Sequence, residues 1–253
     1  MNKIIITGSE GLIGKKVSNF FLKKKGFKIV KLDKKLGHNL ASETEVEEIF
    51  KKNKDANYLI NLHGFNDHVK KNKSKPKNYK DDFLNYHLNN VFSVYLTNLK
   101  FIKNCKLAKG IINFASLYAI MSPKHYLYKE PKNIFYITSK SSVIGLTKYF
   151  ASKYGKKINV NCIINGGIES DQPKKFKKSL TFHIPKKRMM RVRMESPRVF
   201  SQGSLKHEPD LPCQQTNSNH CFSRGSKTAA AHTVLNKSTK RSGSRHVIGL
   251  QTA

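Results

Sequence analysis

No stretch of this sequence approaches the roughly eighteen apolar residues of a membrane-spanning helix. The only apolar run near the start, Ile4 to Ile6, is far too short for a secretion signal. No membrane association is expected. Cys105, Cys162, Cys213 and Cys221 show no paired spacing, so neither a disulfide framework nor a zinc finger is indicated, and reduced thiols in the cytoplasm are the expectation. Cys213, His220 and Cys221 lie near one another but lack a second pair at finger spacing, and no metal site is expected. Acidic residues are scarce, 16 against 48 lysines and arginines, which leaves a formal charge of +32. Such a charge suits nucleic acid, because counterions are released from phosphate on binding. Yet arginine, which makes bidentate phosphate and guanine contacts, is absent before Arg188. The lysines are spread over nearly every element instead of forming one stripe, and the densest run, Lys70 to Lys77, reads as a solvated loop containing Pro76. Biased lysine usage explains the charge as well as a polyanion would, and no specific nucleic-acid partner is expected.

What is present is organised. The 253 residues suffice for one large domain, or one domain with an appendage. Lys3 to Thr7 reads as a buried strand, Gly8-Ser-Glu-Gly11-Leu12-Ile13-Gly14 as a turn, and Val17, Phe20 and Phe21 as one face of a helix closing at Gly26. Phe27 to Leu32 is a second strand ending at Asp33. Glycines at this turn allow a backbone to approach a pyrophosphate, whose charge then sits at the helix N-terminus. A carboxylate about 20 residues on can accept from an adenosine ribose. The alternation continues: a capping box, Ser42-x-x-Glu45, opens a helix with Val46, Ile49 and Phe50 inward. Tyr58 to Leu62 is a strand, Asp82 to Lys103 a long helix, Gly110 to Phe114 a strand, and Ile158 to Ile164 a sixth strand. This pattern predicts an α/β doubly wound parallel sheet with its ligand crevice at the carboxyl ends of the strands.

Tyr136-Ile-Thr-Ser-Lys140 starts a helix that runs to Tyr154. Positions i and i+4 share a helix face, so the phenol and the ammonium point into one space. An ammonium nearby lowers a phenol's pKa from about 10, making Tyr136 a usable acid or base.

These pieces resemble the short-chain dehydrogenase/reductase family over roughly residues 1 to 190. They are Thr7-Gly8-x-x-Gly11-x-x-Gly14, Asn61-Leu-His63-Gly64, Ile112-Asn-Phe-Ala-Ser116, Tyr136-x-x-x-Lys140 and Val160-Asn-Cys-Ile-Ile-Asn-Gly-Gly-Ile168. Ser116-Leu-Tyr-Ala-Ile, the insert before Tyr136 and Gly166 to Pro173 resemble a branch associated with surface-polysaccharide or flagellin-glycan modification. The resemblance implies a Rossmann fold and hydride transfer between a nicotinamide and a secondary alcohol or ketone. Tyr136 would be the general acid or base, Lys140 would lower its pKa and hold the nicotinamide ribose, and Ser116 would hydrogen-bond the substrate oxygen. Gly8, Gly11, Leu12, Ile13, Gly14, Asp33, Asn39, Asn61, His63, Gly64 and Ile168 would contact the cofactor. Asp33 favours NAD, while Lys34 and Lys35 keep NADP open. Asn39 stands where the family often has an aspartate near the adenine. The family's fourth catalytic residue, an asparagine five residues before an aromatic, aligns with His87 when Val91-Phe92 sets the register; a proton relay and simple helix packing both remain open there. The family's usual Pro-Gly after the sixth strand is here Asn165-Gly166, a pair that tolerates the turn. Subunits of the family usually pair through the helix containing Tyr136 and the long helix before it, so a homodimer is expected.

From Arg188 the chain changes character. All seven arginines lie at or after it, no tyrosine follows Tyr154, and Ile248 is the only isoleucine of the last 66 residues. The helix and last strand that the family supplies here are not recognisable. Residues 1–187 therefore read as the dinucleotide-binding and catalytic domain, and 188–253 as a basic tail. Two explanations stay open: a disordered segment, or a shifted reading frame past about Met190. Codons for Leu211 to Gln215 read one nucleotide later permit Phe-Leu-Ala-Ser, common in the family before its last strand. With that strand lost, a dinucleotide-binding module without catalysis is the alternative to an active enzyme.

Overall fold

The computed structural model describes residues 1–66, 78–128, 131–184 and 187–190. The lysine-rich run 70–77, the chain beyond 190 with its supposed frame change, and Cys213, His220 and Cys221 lie outside the described residues. In chain order the elements are β1 (Asn2–Thr7), α1 (Leu12–Leu22), β2 (Phe27–Leu32), α2 (Glu43–Lys52) and β3 (Tyr58–Asn61). They continue with α3 (Tyr79–His87), α4 (Ser93–Asn104), β4 (Gly110–Ser116), α5 (Ile134–Tyr154), β5 (Asn159–Asn165) and α6 (Lys174–Phe182). The strands form one parallel sheet in the order β2-β1-β3-β4-β5. The chain steps outward from β1 to β2, then returns past β1 to β3, β4 and β5. The reversal opens a crevice at the carboxyl ends of β1 and β3, which is the doubly wound arrangement.

The sheet is filled from both faces, which is why its strands are apolar runs and not alternating ones. Ile5 joins Val46 and Phe50 of α2, Phe101 of α4 and Phe150 of α5 in one core, while Ile4 and Ile6 face Val17 of α1 in another. All three isoleucines are buried. Each contributes about 2–3 kcal/mol of burial. Together they fix β1, and with it the start of the glycine turn.

Two expectations need correction. Described residues give five strands: the segment between β2 and β3 holds only a 3-10 turn, Lys34–Leu36, and α2. Asp33 caps that turn by accepting from the Lys35 amide, Gly37 reverses the chain at φ 87°, and Ser42 caps α2. The long helix is interrupted: between α3 and α4, Leu88–Phe92 form a widened π-turn. The capping box closes by half, since Ser42 Oγ accepts from the Glu45 amide at 3.3 Å while the Glu45 carboxylate reaches the Asn39 amide at 2.9 Å.

Candidate active site

The glycine turn is built by exclusion of side chains. Gly8 has φ +66°, and a Cβ there would lie 2.5 Å from the His63 backbone nitrogen, because the end of β3 passes directly beneath. A Cβ on Gly14 would collide with the Gly8 carbonyl. Gly11 is the N-cap of α1 and offers no side chain to the helix end. The amides of Leu12, Ile13 and Gly14 thus belong to the first turn, where no intrahelical acceptor exists, and they suit an anion. Ser9 Oγ is buried beside them without a hydrogen-bond partner among the described residues. Asp33, at the end of β2, ties the turn to the sheet: one carboxylate oxygen accepts from the Glu10 amide and the other from the Lys35 amide, each at 2.9 Å. Each oxygen retains a second lone pair, directed by this fixed carboxylate. Asn39 is exposed on the following loop, where its side chain accepts from the Ala41 amide at 3.1 Å.

At the end of β3 the residues divide. Asn61 is buried in a polar ladder, donating to Asn98 Oδ1 at 2.8 Å and Asn113 Oδ1 at 2.9 Å while its own oxygen faces Thr7 Oγ1 and Thr97 Oγ1. The ladder holds β1, β3, β4 and α4 in register, so the Asn61 side chain serves the sheet and leaves the crevice to its neighbours. His63 is half-buried and bridges Thr7 Oγ1 at 2.6 Å and Ser93 Oγ at 2.9 Å. Burial, assisted by the Lys140 charge, pushes its pKa down to about 3. His63 is therefore a neutral strut between β1 and α4. Gly64 lies against two functional groups: a Cβ there would sit 3.1 Å from Lys140 Nζ and 3.3 Å from Asn90 Oδ1.

Ser116 ends β4 and is buried, its hydroxyl accepting from the Tyr118 amide at 3.3 Å. Tyr136 and Lys140 stand one turn apart on α5, whose inner face continues through Val143, Thr147 and Phe150. Burial raises the Tyr136 phenol's pKa, while the Ser116 hydroxyl favours its ionised form as the smaller influence. This corrects the expectation that Lys140 lowers it. Lys140 Nζ donates to the Phe114 carbonyl at 3.2 Å, and its own pKa falls to about 8 because the ammonium is buried. Just after β5, Ile168 pairs with Met190 in a single parallel bridge, and its carbonyl accepts from Gln172 Nε2 at 2.8 Å.

His87 is not brought to this group: its Nδ1 contacts the Phe83 carbonyl at 2.9 Å, and its ring lies 4.0 Å from the Phe83 ring centroid. The π-turn instead carries Asn90 inward. Asn90 is fully buried, accepts from the Phe65 amide at 2.5 Å, and donates to the Phe65 carbonyl and Ser139 Oγ at 3.0 Å each. A signal for it was present, since Asn90 lies five residues before Tyr95. His87 stands in the same relation to Phe92, three residues earlier in the chain.

Thus the carboxyl ends of the strands gather a glycine turn, a fixed carboxylate, and a serine, tyrosine and lysine around an asparagine-braced glycine. The family described as enoyl-(acyl carrier protein) reductase matches residues 23–198. The chain belongs to the short-chain dehydrogenase/reductase family. Solved structures share the fold. A short-chain dehydrogenase from Leptospira borgpetersenii with bound NAD+ is 23% identical, with a TM-score of 0.61 over 75% of this chain and 80% of that one. A gluconate 5-dehydrogenase from Burkholderia cenocepacia, in complex with NADP and tartrate, is 16% identical, with a TM-score of 0.60 over 76% and 83%. A family protein from Francisella tularensis is 17% identical, with a TM-score of 0.62 over 76% and 86%. No curated protein matches the sequence. Among the described residues no helix is long and apolar enough to cross a membrane, and no three metal-ligating side chains gather.

Proposed function

We propose that this chain is an NAD(P)-dependent oxidoreductase acting on a secondary alcohol or ketone, with a sugar derivative as the favoured substrate class. The observation that carries the reading is the grouping of Ser116, Tyr136 and Lys140 at the strand ends that also hold the glycine turn. The turn fits a dinucleotide: side chains at Gly8 or Gly14 would fill it, and Ser9 Oγ awaits a partner there. The amides of Leu12, Ile13 and Gly14 would receive the pyrophosphate, and the lone pairs of Asp33 an adenosine ribose. Asp33 repels a 2′-phosphate, which favours NAD over NADP. Lys140, lying under Gly64, would hold the second ribose, with Ile168 closing that side. When bound, the nicotinamide gives or takes the hydride. Tyr136 gives a proton to the substrate oxygen in reduction and removes it in oxidation, and Ser116 hydrogen-bonds that oxygen as charge develops. Because burial keeps the phenol protonated, Tyr136 is poised as an acid near neutrality, and oxidation should quicken as pH rises.

Exposed Tyr95 on α4 and Tyr149 on α5 support pairing of two copies through these helices. A second reading, cofactor binding without turnover, is favoured by β5, which has no outer neighbour among the described residues. Titration with NADH and NADPH, followed by nicotinamide fluorescence, tests the binding half of the proposal. Saturation, tighter for NADH, is expected. Absence of binding to either cofactor contradicts both readings.

A further inference from the structure

Beyond the reacting groups, one pair of side chains has no part in the chemistry just described. Tyr118 follows Ser116 in the short turn that the serine caps, and Tyr128 lies ten residues on in the insert before α5. Their hydroxyls hydrogen-bond each other, and their rings meet edge to face with centroids 6.3 Å apart. Both are half-buried. Tyr118 is tied to the candidate site through its amide, which donates to Ser116 Oγ at 3.3 Å. Tyr128 also backs onto Phe176 of α6 at 5.3 Å, and Lys132 Nζ lies 4.6 Å from its ring centroid.

The hydrogen-bond inventory of this pair is unbalanced. A phenol carries one donor hydrogen and accepting lone pairs. When two phenols bond only to each other, one spends its hydrogen and the other keeps its own. The pair therefore presents one free donor and free accepting lone pairs. Among the described residues neither hydroxyl has another hydrogen-bond partner. A donor and acceptor side by side complement an alcohol hydroxyl, which also gives one hydrogen bond and takes another. The aromatic walls of Tyr128 and Phe176 complement the C–H face of a ring.

We propose that Tyr118 and Tyr128 form a specificity element that recognises a second hydroxyl, neighbouring the carbon that reacts, so that the site takes vicinal diols of the sugar or cyclic polyol class. This rests on the functional reading above, which places the reacting carbon at Ser116 and Tyr136. It assigns the pair no part in hydride or proton transfer. A substrate lacking the second hydroxyl leaves the pair's free donor and acceptor unmatched.

The test compares cis-1,2-cyclohexanediol with cyclohexanol on the full chain in the presence of NAD+, with affinity measured by saturation-transfer NMR, which needs no turnover. Wild type should bind the diol about tenfold more tightly than cyclohexanol, as one or two matched neutral hydrogen bonds allow. Tyr118→Phe and Tyr128→Phe should each erase that preference while leaving cyclohexanol and NADH affinities unchanged. Equal affinity of wild type for the two alcohols, or a preference that survives both substitutions, overturns the proposal; a pair that only fastens the insert to α6 gives the latter result with a lowered melting temperature. NADH production in the same samples reports separately: diol binding without any turnover defeats the oxidoreductase reading and leaves the specificity element standing.

Discussion

The ammonium of Lys140 occupies the space that a side chain on Gly64 would need, at 3.1 Å from the position of the missing Cβ. Glycine at the end of β3 is what lets a buried cation approach the backbone between the glycine turn and Tyr136. The same residue position admits Asn90, so strand end, helix turn and lysine are fitted to one another.

Gly8 and Gly64 should therefore respond differently to alanine. At Gly64 the obstruction is the tip of a flexible lysine, which can withdraw; Gly64→Ala should cost about 1 kcal/mol or less of stability, yet reduce turnover about tenfold by displacing the ammonium. At Gly8 a positive φ and the His63 backbone leave no such escape. Gly8→Ala should cost more than about 2 kcal/mol and abolish cofactor binding. Denaturant unfolding with nicotinamide titration of both variants checks the contrast.

Asn90 and His87 provide a second comparison. Removing the Asn90 amide takes one partner each from the half-buried Phe65 amide and carbonyl and from Ser139 Oγ, a loss of about 1–3 kcal/mol, and loosens the wall beside Lys140. Removing His87 costs one half-exposed contact with Phe83. Asn90→Ala should lower turnover at least about tenfold, whereas His87→Ala should stay within about twofold of wild type. The reverse order would restore His87 as the relay residue.

Lys140 also makes stability depend on pH. Its folded pKa, about 8, lies below the ordinary 10.5, so between these values the unfolded chain holds more protons than the folded one. Stability linked to this group therefore rises with pH from about 8 to 10.5, by up to about 3 kcal/mol. Cys105, Cys162, Tyr128 and Tyr136 are shifted upward by burial and act in the opposite sense as they ionise in the unfolded chain. The difference between wild type and Lys140→Met isolates the lysine. Unfolding free energies at pH 7.5 and 9.5 should show the variant's advantage shrinking at the higher pH; a constant difference contradicts a buried, depressed lysine.

The sheet was legible because its signals are local. Ile4 to Ile6, the spaced glycines and Asp33 specify strand, turn and strand without reference to distant residues. Tyr136 and Lys140 were legible because four-residue spacing places them on one helix face whatever surrounds it. The pKa of Tyr136 was not, since proximity in sequence says nothing of how much water the phenol loses; burial outweighed the expected influence of charge. Asn90 was missed because it lies within a π-turn, which adds residues to a helical turn and breaks the 3.6-residue count on which register depends. Asn61 looked like a cofactor contact from its motif, but its partners Asn98, Asn113 and Thr97 come from separate elements that only the fold assembles.

The central claim is that the Tyr136 hydroxyl moves the proton that accompanies hydride transfer. Its most direct test is turnover of Tyr136→Phe with a diol that wild type oxidises, alongside NADH affinity. Burial of the ring is preserved by phenylalanine, so cofactor binding should persist while turnover falls about 10²–10⁴-fold. Turnover that survives the substitution would contradict the account, and a wild type that binds NADH yet turns over no alcohol or ketone would reduce the chain to a dinucleotide-binding module.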